Sequence, residues 1–322
     1  MTRSSAAILA LIIFIIFGQS LVLSDPIQVE GVSISGCDNQ SSCSTIQHRI
    51  LSILNGIDDI DSISDNFTAD GLSCFEQLQK ATQFSCVNVL YDVNLVHLPD
   101  GGYEIRGVRV RVNMGRTKGN PDQYIVFTFD DHLLVSDVHF AIENHHYERI
   151  LDDGRKLEDF TNRQKILHFI EIFRTAYNKK DIAFLKRVYS DDALIIVGRV
   201  LKVAPEHSDM LQQSLLTKDQ IRFVKLSKSQ YLSNLEKVFQ FNDFVKVDFE
   251  DIEIMRHDSV QDIYGVTLKQ KWQSSSYSDE GYLFLMIDFM DPDHPLIHVR
   301  TWQPEKFPDG SVISIYDFNI IE

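Results

Sequence analysis

Several groups of residues in this 322-residue chain have the types that chemistry needs. His139, His145, His146 and Glu148 lie close together and are rich in metal-ligating atoms. On a helix, His145 and Glu148 share a face at i, i+3 spacing. The spacing is not the H-E-x-x-H of a zinc-binding helix and the neighbouring histidines point apart, so no metal is expected. Asp58, Asp59, Asp61 and Asp65 lack the glycine and terminal glutamate of a calcium loop. Asp191 and Asp192, in YSDDALIIVG, sit where a short helix runs into an apolar strand. Carboxylates there read as a solvated turn.

A polar and aromatic set fills the second half of the chain: Tyr177, Tyr189, Gln270 and Trp272, then Asp288, His298, Arg300 and Trp302. On strands, His298, Arg300 and Trp302 share one face, and Gln270 shares a face with Trp272. An apolar wall bearing a few polar groups is the usual make-up of a ligand site, so these are the candidate ligand-binding residues. Asp288, if buried, needs Arg300 or a similar partner. No nucleophile-elbow, phosphate-loop or dinucleotide signature is present, so no cofactor and no catalytic residue are assigned.

The elements that position these residues follow from periodicity. Ile46, Ile50, Leu51 and Leu54 mark a first helix; Leu72, Phe75 and Leu78 mark a second. The period then changes to two: Val87 to Val93, then Val108, Val110 and Val112, then YIVFTF and LLVSDVHF around a tight DDH turn. AIENHHYERIL reads as a helix, and LDDGRKLED (151–159) as a linker. Thr161 and Gln164 then form a capping-box pair before Ile166, Phe169, Ile170, Phe173 and Tyr177 on one helical face. Asp181 caps a short helix, ALIIVGRVL is a strand, and 203–226 is a polar insertion. Ser227 and Gln230 repeat the capping box, and four long extended runs finish the chain. The fold class is α+β, with helices preceding an antiparallel sheet twice over. YIVFTF-DD-HLLVSDVHF and YLFLMIDFMDPDHPLIHVRTW have the same order of strand, Asp- and His-bearing turn and strand, which suggests two copies of one fold.

A net charge of -15 argues against nucleic acid and against anionic lipid as partners. Arg3 before the apolar run Ala6–Phe17, with Val22 and Ser24 placed for cleavage, reads as a secretory signal over 1–24. Left uncleaved, it is the chain's one expected attachment to a membrane. The address is then periplasmic or secreted. Cys37, Cys43, Cys74 and Cys86 are an even set in an exported protein, so disulfides are expected; three connectivities are open, neighbour pairing being the simplest.

The stretch FIEIFRTAYNKKDIAFLKRVYSDDALIIVG (169–198), followed by a helix and four strands, resembles the nuclear transport factor 2-like superfamily, as does the ending HVRTWQPEK. The ending is similar to uncharacterised exported proteins of Bacteroidetes-type bacteria. The resemblance implies a cone-shaped α+β module over 155–322 and a divergent copy over 45–150, preceded by an irregular segment over 25–44. Ketosteroid isomerases share this fold and need a carboxylate base and a tyrosine inside the cone. The matching positions here are Val197 and Phe173, neither able to move a proton. The expectation is a non-enzymatic protein that binds a small ligand or a partner protein, or pairs with itself through sheet faces. The rival is an isomerase, cyclase or hydrolase built on Asp288, His298 and Arg300.

Overall fold

A computed structural model describes residues 27–99, 101–115, 120–142, 144–152, 157–201, 220–257, 260 and 262–318. The expected signal segment lies outside the described residues. The chain is α+β, with two mixed six-stranded sheets.

The first sheet holds β1 (Gly31–Ser35), β2 (Ser85–Cys86), β3 (Leu90–His97), β4 (Tyr103–Arg111), β5 (Asp122–Phe129) and β6 (Val135–Phe140). Its order is β1-β3-β4-β5-β6, with β2 on β4, and β1 runs parallel to β3. Helix α1 (Gln40–Asn55) packs near β1 and α3 (Ala69–Thr82) on β6; between them α2 (Ile60–Ile63) and a single 3-10 turn occupy the acidic stretch. Ile46, Ile50, Phe75 and Leu78, the residues that fix the two helical faces in the sequence, are fully buried in the core. The segment 25–44, read as irregular, carries β1 and the start of α1. A five-residue strand that pairs along the sheet edge leaves no periodicity strong enough to read.

The second sheet holds β7 (Tyr189–Leu201), β8 (Gln220–Leu226), β9 (Val245–Arg256), β10 (Ile263–Ser274), β11 (Ser278–Asp288) and β12 (Leu296–Gln303), in the order β8-β7-β12-β11-β10-β9. The end of the expected polar insertion is thus the edge strand β8. Its helices are α4 (Asn144–Asp152), α5 (Leu157–Lys179), α6 (Ile182–Val188) and α7 (Lys228–Phe241). The capping box at Ser227 and Gln230 forms in both directions, and Asp181 accepts from Phe184 N at 2.9 Å. The Thr161–Gln164 box does not form, because α5 begins a turn earlier and Thr161 lies within it. The Gln164 amide instead donates to His97 O at 3.0 Å, across to the first sheet.

Helix α5 is the spine of the molecule, packing on β9 of the second sheet and on β6 and α3 of the first. Helix α4 also joins the second core, through Tyr147, Ile150 and Leu151. The outer face of the second sheet is covered in part by the C-terminal segment: Ile315 packs with Ile263, Phe284, Met286 and Val299. A β-carbon on Gly265 would meet Ile315 at 2.8 Å, so this contact depends on glycine.

Candidate functional site

Strand parity places Tyr264, Val266, Leu268, Gln270 and Trp272 of β10 on the inner face, because the first three belong to the main core. Arg300 and Trp302 of β12 lie opposite Leu285 and Leu283, which face the same interior. The interior is filled with rings. Phe173 is fully buried and lies 5.1 Å from Tyr177, 6.2 Å from Tyr189 and 6.3 Å from Phe249 between centroids. Val197 packs against the same core.

Three of the buried tyrosines of this interior share hydrogen bonds. The Tyr177 hydroxyl is 2.7 Å from that of Tyr231 and 3.2 Å from that of Tyr189. The guanidinium of Arg300 lies 4.9 Å from the centre of the Tyr231 ring. Burial alone would weaken the Arg300 charge, but the adjacent tyrosines more than offset it and hold the group fully protonated. Burial pushes Tyr177 and Tyr189 well above the usual phenol range. Sequence reasoning named Tyr177, Tyr189, Arg300 and Trp302, and the structure brings the first three into one cluster. It missed Tyr231, which i, i+4 spacing from the Ser227 cap would have turned inward.

Asp288 and His298 do not join that cluster. Asp288 ends β11 on the other face, accepts from Met290 N at 2.7 Å, and lies 3.5 Å from His298. His298 is the extra residue of a β-bulge: its neighbours Ile297 and Val299 are paired on both sides and it is not. The bulge breaks the period-two rule that put it on one face with Arg300. Asp191 and Asp192 lie inside β7, not in a turn; both are exposed, and Asp191 pairs with Lys228 at 2.8 Å.

Trp272 stands at the mouth of the interior, with its ring 6.0 Å from Tyr177. It opens onto a cleft of about 850 Å³ between the two modules. Arg109 and Asp122 line one wall; Arg174, Asp248, Lys271 and Asp279 line the other. Burial raises the carboxyl of Asp279 above the ordinary aspartate range, while the Tyr277 hydroxyl donates to it at 2.9 Å.

A buried ionic junction, which local sequence patterns do not reveal, joins β4 to α5. Arg106 of β4 donates to Glu104 at 2.9 Å and to both oxygens of Glu171 on α5. Its guanidinium stacks 3.7 Å from the centre of the Tyr147 ring. Glu104 is 2.9 Å from His168 Nδ1, and His139 Nδ1 is 2.7 Å from Asp137. Burial would raise the Glu104 carboxyl, but the His168 hydrogen bond and the Arg106 charge hold it well below the usual range. Arg174 ties the same helix to both sheets through Val247 O at 3.0 Å, Ala141 O at 3.0 Å and Asp248 at 2.8 Å. His139 thus finds its neighbours in Glu104 and His168, not in His146 or Glu148.

Cys37 and Cys43 form a disulfide. The expected partner bridge does not: Cys74 and Cys86 are free, and the Cys86 thiol donates to Leu54 O at 3.4 Å. No helix among the described residues is long and apolar enough to cross a membrane.

No protein-family model matches this chain, and neither does any curated protein. Among solved structures it is similar to naphthalene 1,2-dioxygenase with indole bound in its active site, at 8% identity and TM-score 0.36 over 51% of this chain and 89% of that one. A nuclear transport factor 2-like protein from Cytophaga hutchinsonii matches at 12% identity and TM-score 0.31, over 44% of this chain and 97% of that one. A Bdellovibrio bacteriovorus protein matches at 16% identity and TM-score 0.33, over 53% of this chain; this chain spans 46% of its length.

Proposed function

We propose that this chain is an exported, non-enzymatic binding protein whose ligand lies in the cleft between the modules, on Trp272. One observation carries the reading. The interior that a nuclear transport factor 2-like enzyme would use is packed with aromatic side chains, while the open volume lies beside Trp272, between walls bearing both signs of charge. An aromatic platform flanked by separated cations and anions suits a small zwitterion or the polar backbone of a short peptide. The Cys37–Cys43 disulfide supports export to an oxidising compartment, periplasmic or extracellular.

The chain has two tryptophans, and Trp302 is buried. Fluorescence titration with free amino acids and dipeptides tests the proposal. A saturable change in emission that disappears in Trp272→Phe is the expected result. No change across the panel, or a change that persists in Trp272→Phe, would sink it.

A further inference from the structure

We infer that Glu104, His139 and His168 form a binding site for a divalent transition metal of the zinc type, at the junction of the two modules. This departs from the sequence expectation of no metal and is independent of the cleft. The three side chains come from β4, β6 and α5, and their ligand atoms all lie within 4.8 Å of one another. Two imidazoles and one carboxylate suit zinc, cobalt or nickel; calcium and magnesium prefer oxygen alone.

The surroundings are those of a ligand shell. Asp137 lies 2.7 Å from His139 Nδ1 and fixes the ring, so that in the neutral imidazole the proton sits on Nδ1 and Nε2 is the atom that would bind. His139 Nε2 is buried and makes no hydrogen bond; the nearest carboxylate oxygen, of Glu171, is 3.4 Å away. An unsatisfied imidazole nitrogen in a side chain 1% exposed is a cost that a metal bond would remove. Arg106 occupies one oxygen of Glu104 and leaves the other facing His168.

Charge points the same way. Among the described residues, the ion pairs of the junction gather the carboxylates of Glu104, Asp137 and Glu171 around one fixed cation, Arg106. One divalent ion on two neutral imidazoles balances the remainder. Two imidazolium protons would balance it equally, so a metal binds by displacing protons. Access exists as well: Glu104 and His139 are buried, but His168 is half-buried and lines a pocket of about 520 Å³. Such an ion would staple the first sheet to the helix at the centre of the second module.

The test is zinc binding by the whole chain, stripped with chelator and then titrated with zinc ion alone. One zinc per chain is expected, with a rise in melting temperature at saturating metal. His168→Ala removes a half-exposed ligand on a helix surface and should weaken binding by more than about ten-fold while circular dichroism stays native. Asp137→Asn should weaken it by about ten- to a hundred-fold. His132→Ala, on an exposed turn away from both pockets, should bind as the parent does. No stoichiometric uptake, uptake unchanged in a folded His168→Ala, or uptake lost in His132→Ala would each overturn the assignment.

Discussion

Arg106 of the first sheet and Glu171 of helix α5 meet side by side, both guanidinium Nη atoms on one carboxylate, with neither side chain reaching solvent. They lie 65 positions apart in the chain, so the pair joins two modules that local sequence builds separately. Glu171 also accepts from Ile142 N at 2.6 Å, at the entry to α4. Removing one partner of such a pair strands a buried charge. Glu171→Ala should cost about 3–5 kcal/mol, whereas the double variant Arg106→Met, Glu171→Leu should recover much of that loss. Urea unfolding of the two single variants and the double variant checks this. A cost below about 1 kcal/mol for Glu171→Ala would show that the pair is not the clamp described.

The reason this clamp was invisible in the sequence lies in α5. Its apolar stripe, Phe169, Phe173 and Tyr177, was legible at helical spacing, and it does face the second core. The opposite face, His168, Glu171, Arg174 and Thr175, has the polarity of a solvated surface. Glu171, Arg174 and Thr175 are buried all the same and His168 half-buried, because each group finds a partner on the first sheet or on β9. Sequence periodicity reports polarity, and polarity predicts exposure only where no second module supplies partners. The α+β class and the inward row on β10 were legible because alternation and capping are local. His298 was misplaced because a one-residue bulge carries no local mark.

Phe173 stands where an isomerase of this fold would carry its tyrosine, and it is stacked at 6.1 Å on Phe169 and at 6.3 Å on Phe249. Nothing around it is free to collapse into the space that a truncation would leave. Phe173→Ala should therefore destabilise by about 3–5 kcal/mol. Chemical denaturation measures it. A loss under about 1 kcal/mol would mean that the interior is looser than its ring contacts imply.

The free thiols give a separate check on packing. Burial raises the Cys86 thiol to about 11, and burial with the nearby Asp137 carboxylate raises Cys74 to about 11 as well. The thiolate is the reactive form, so both should resist a thiol reagent at about pH 8 in the folded protein. Unfolding in denaturant without reductant should then release both for labelling, while Cys37 and Cys43 stay bridged. Fast labelling of Cys86 in the native protein would contradict its placement against Leu54. Replacing the bridge by Cys37→Ser with Cys43→Ser should cost at most about 2 kcal/mol, because the loop it closes is short.

The tyrosine cluster sets the alkaline limit of the fold. Burial is the main cause of the raised Tyr177 and Tyr189 values, the neighbouring hydroxyls add to it, and Arg300 offsets part of it. Tyr91, whose hydroxyl donates to Arg109 O at 2.8 Å, is raised by burial in the first module. Each has a folded value above the ordinary tyrosine value of 10.0. Between the two values the unfolded chain releases protons that the folded chain keeps. The stability these groups contribute is therefore fully present below about pH 10 and is lost as pH rises toward the folded values. Following tyrosinate absorbance beside far-ultraviolet circular dichroism separates the groups. Tyrosinate absorbance from Tyr91, Tyr177 and Tyr189 should appear only in a late step that coincides with loss of dichroism. A single reversible titration of every tyrosine near about pH 10, with the dichroism unchanged, would mean that Tyr177 and Tyr189 are open to solvent and that the second interior is a pocket after all.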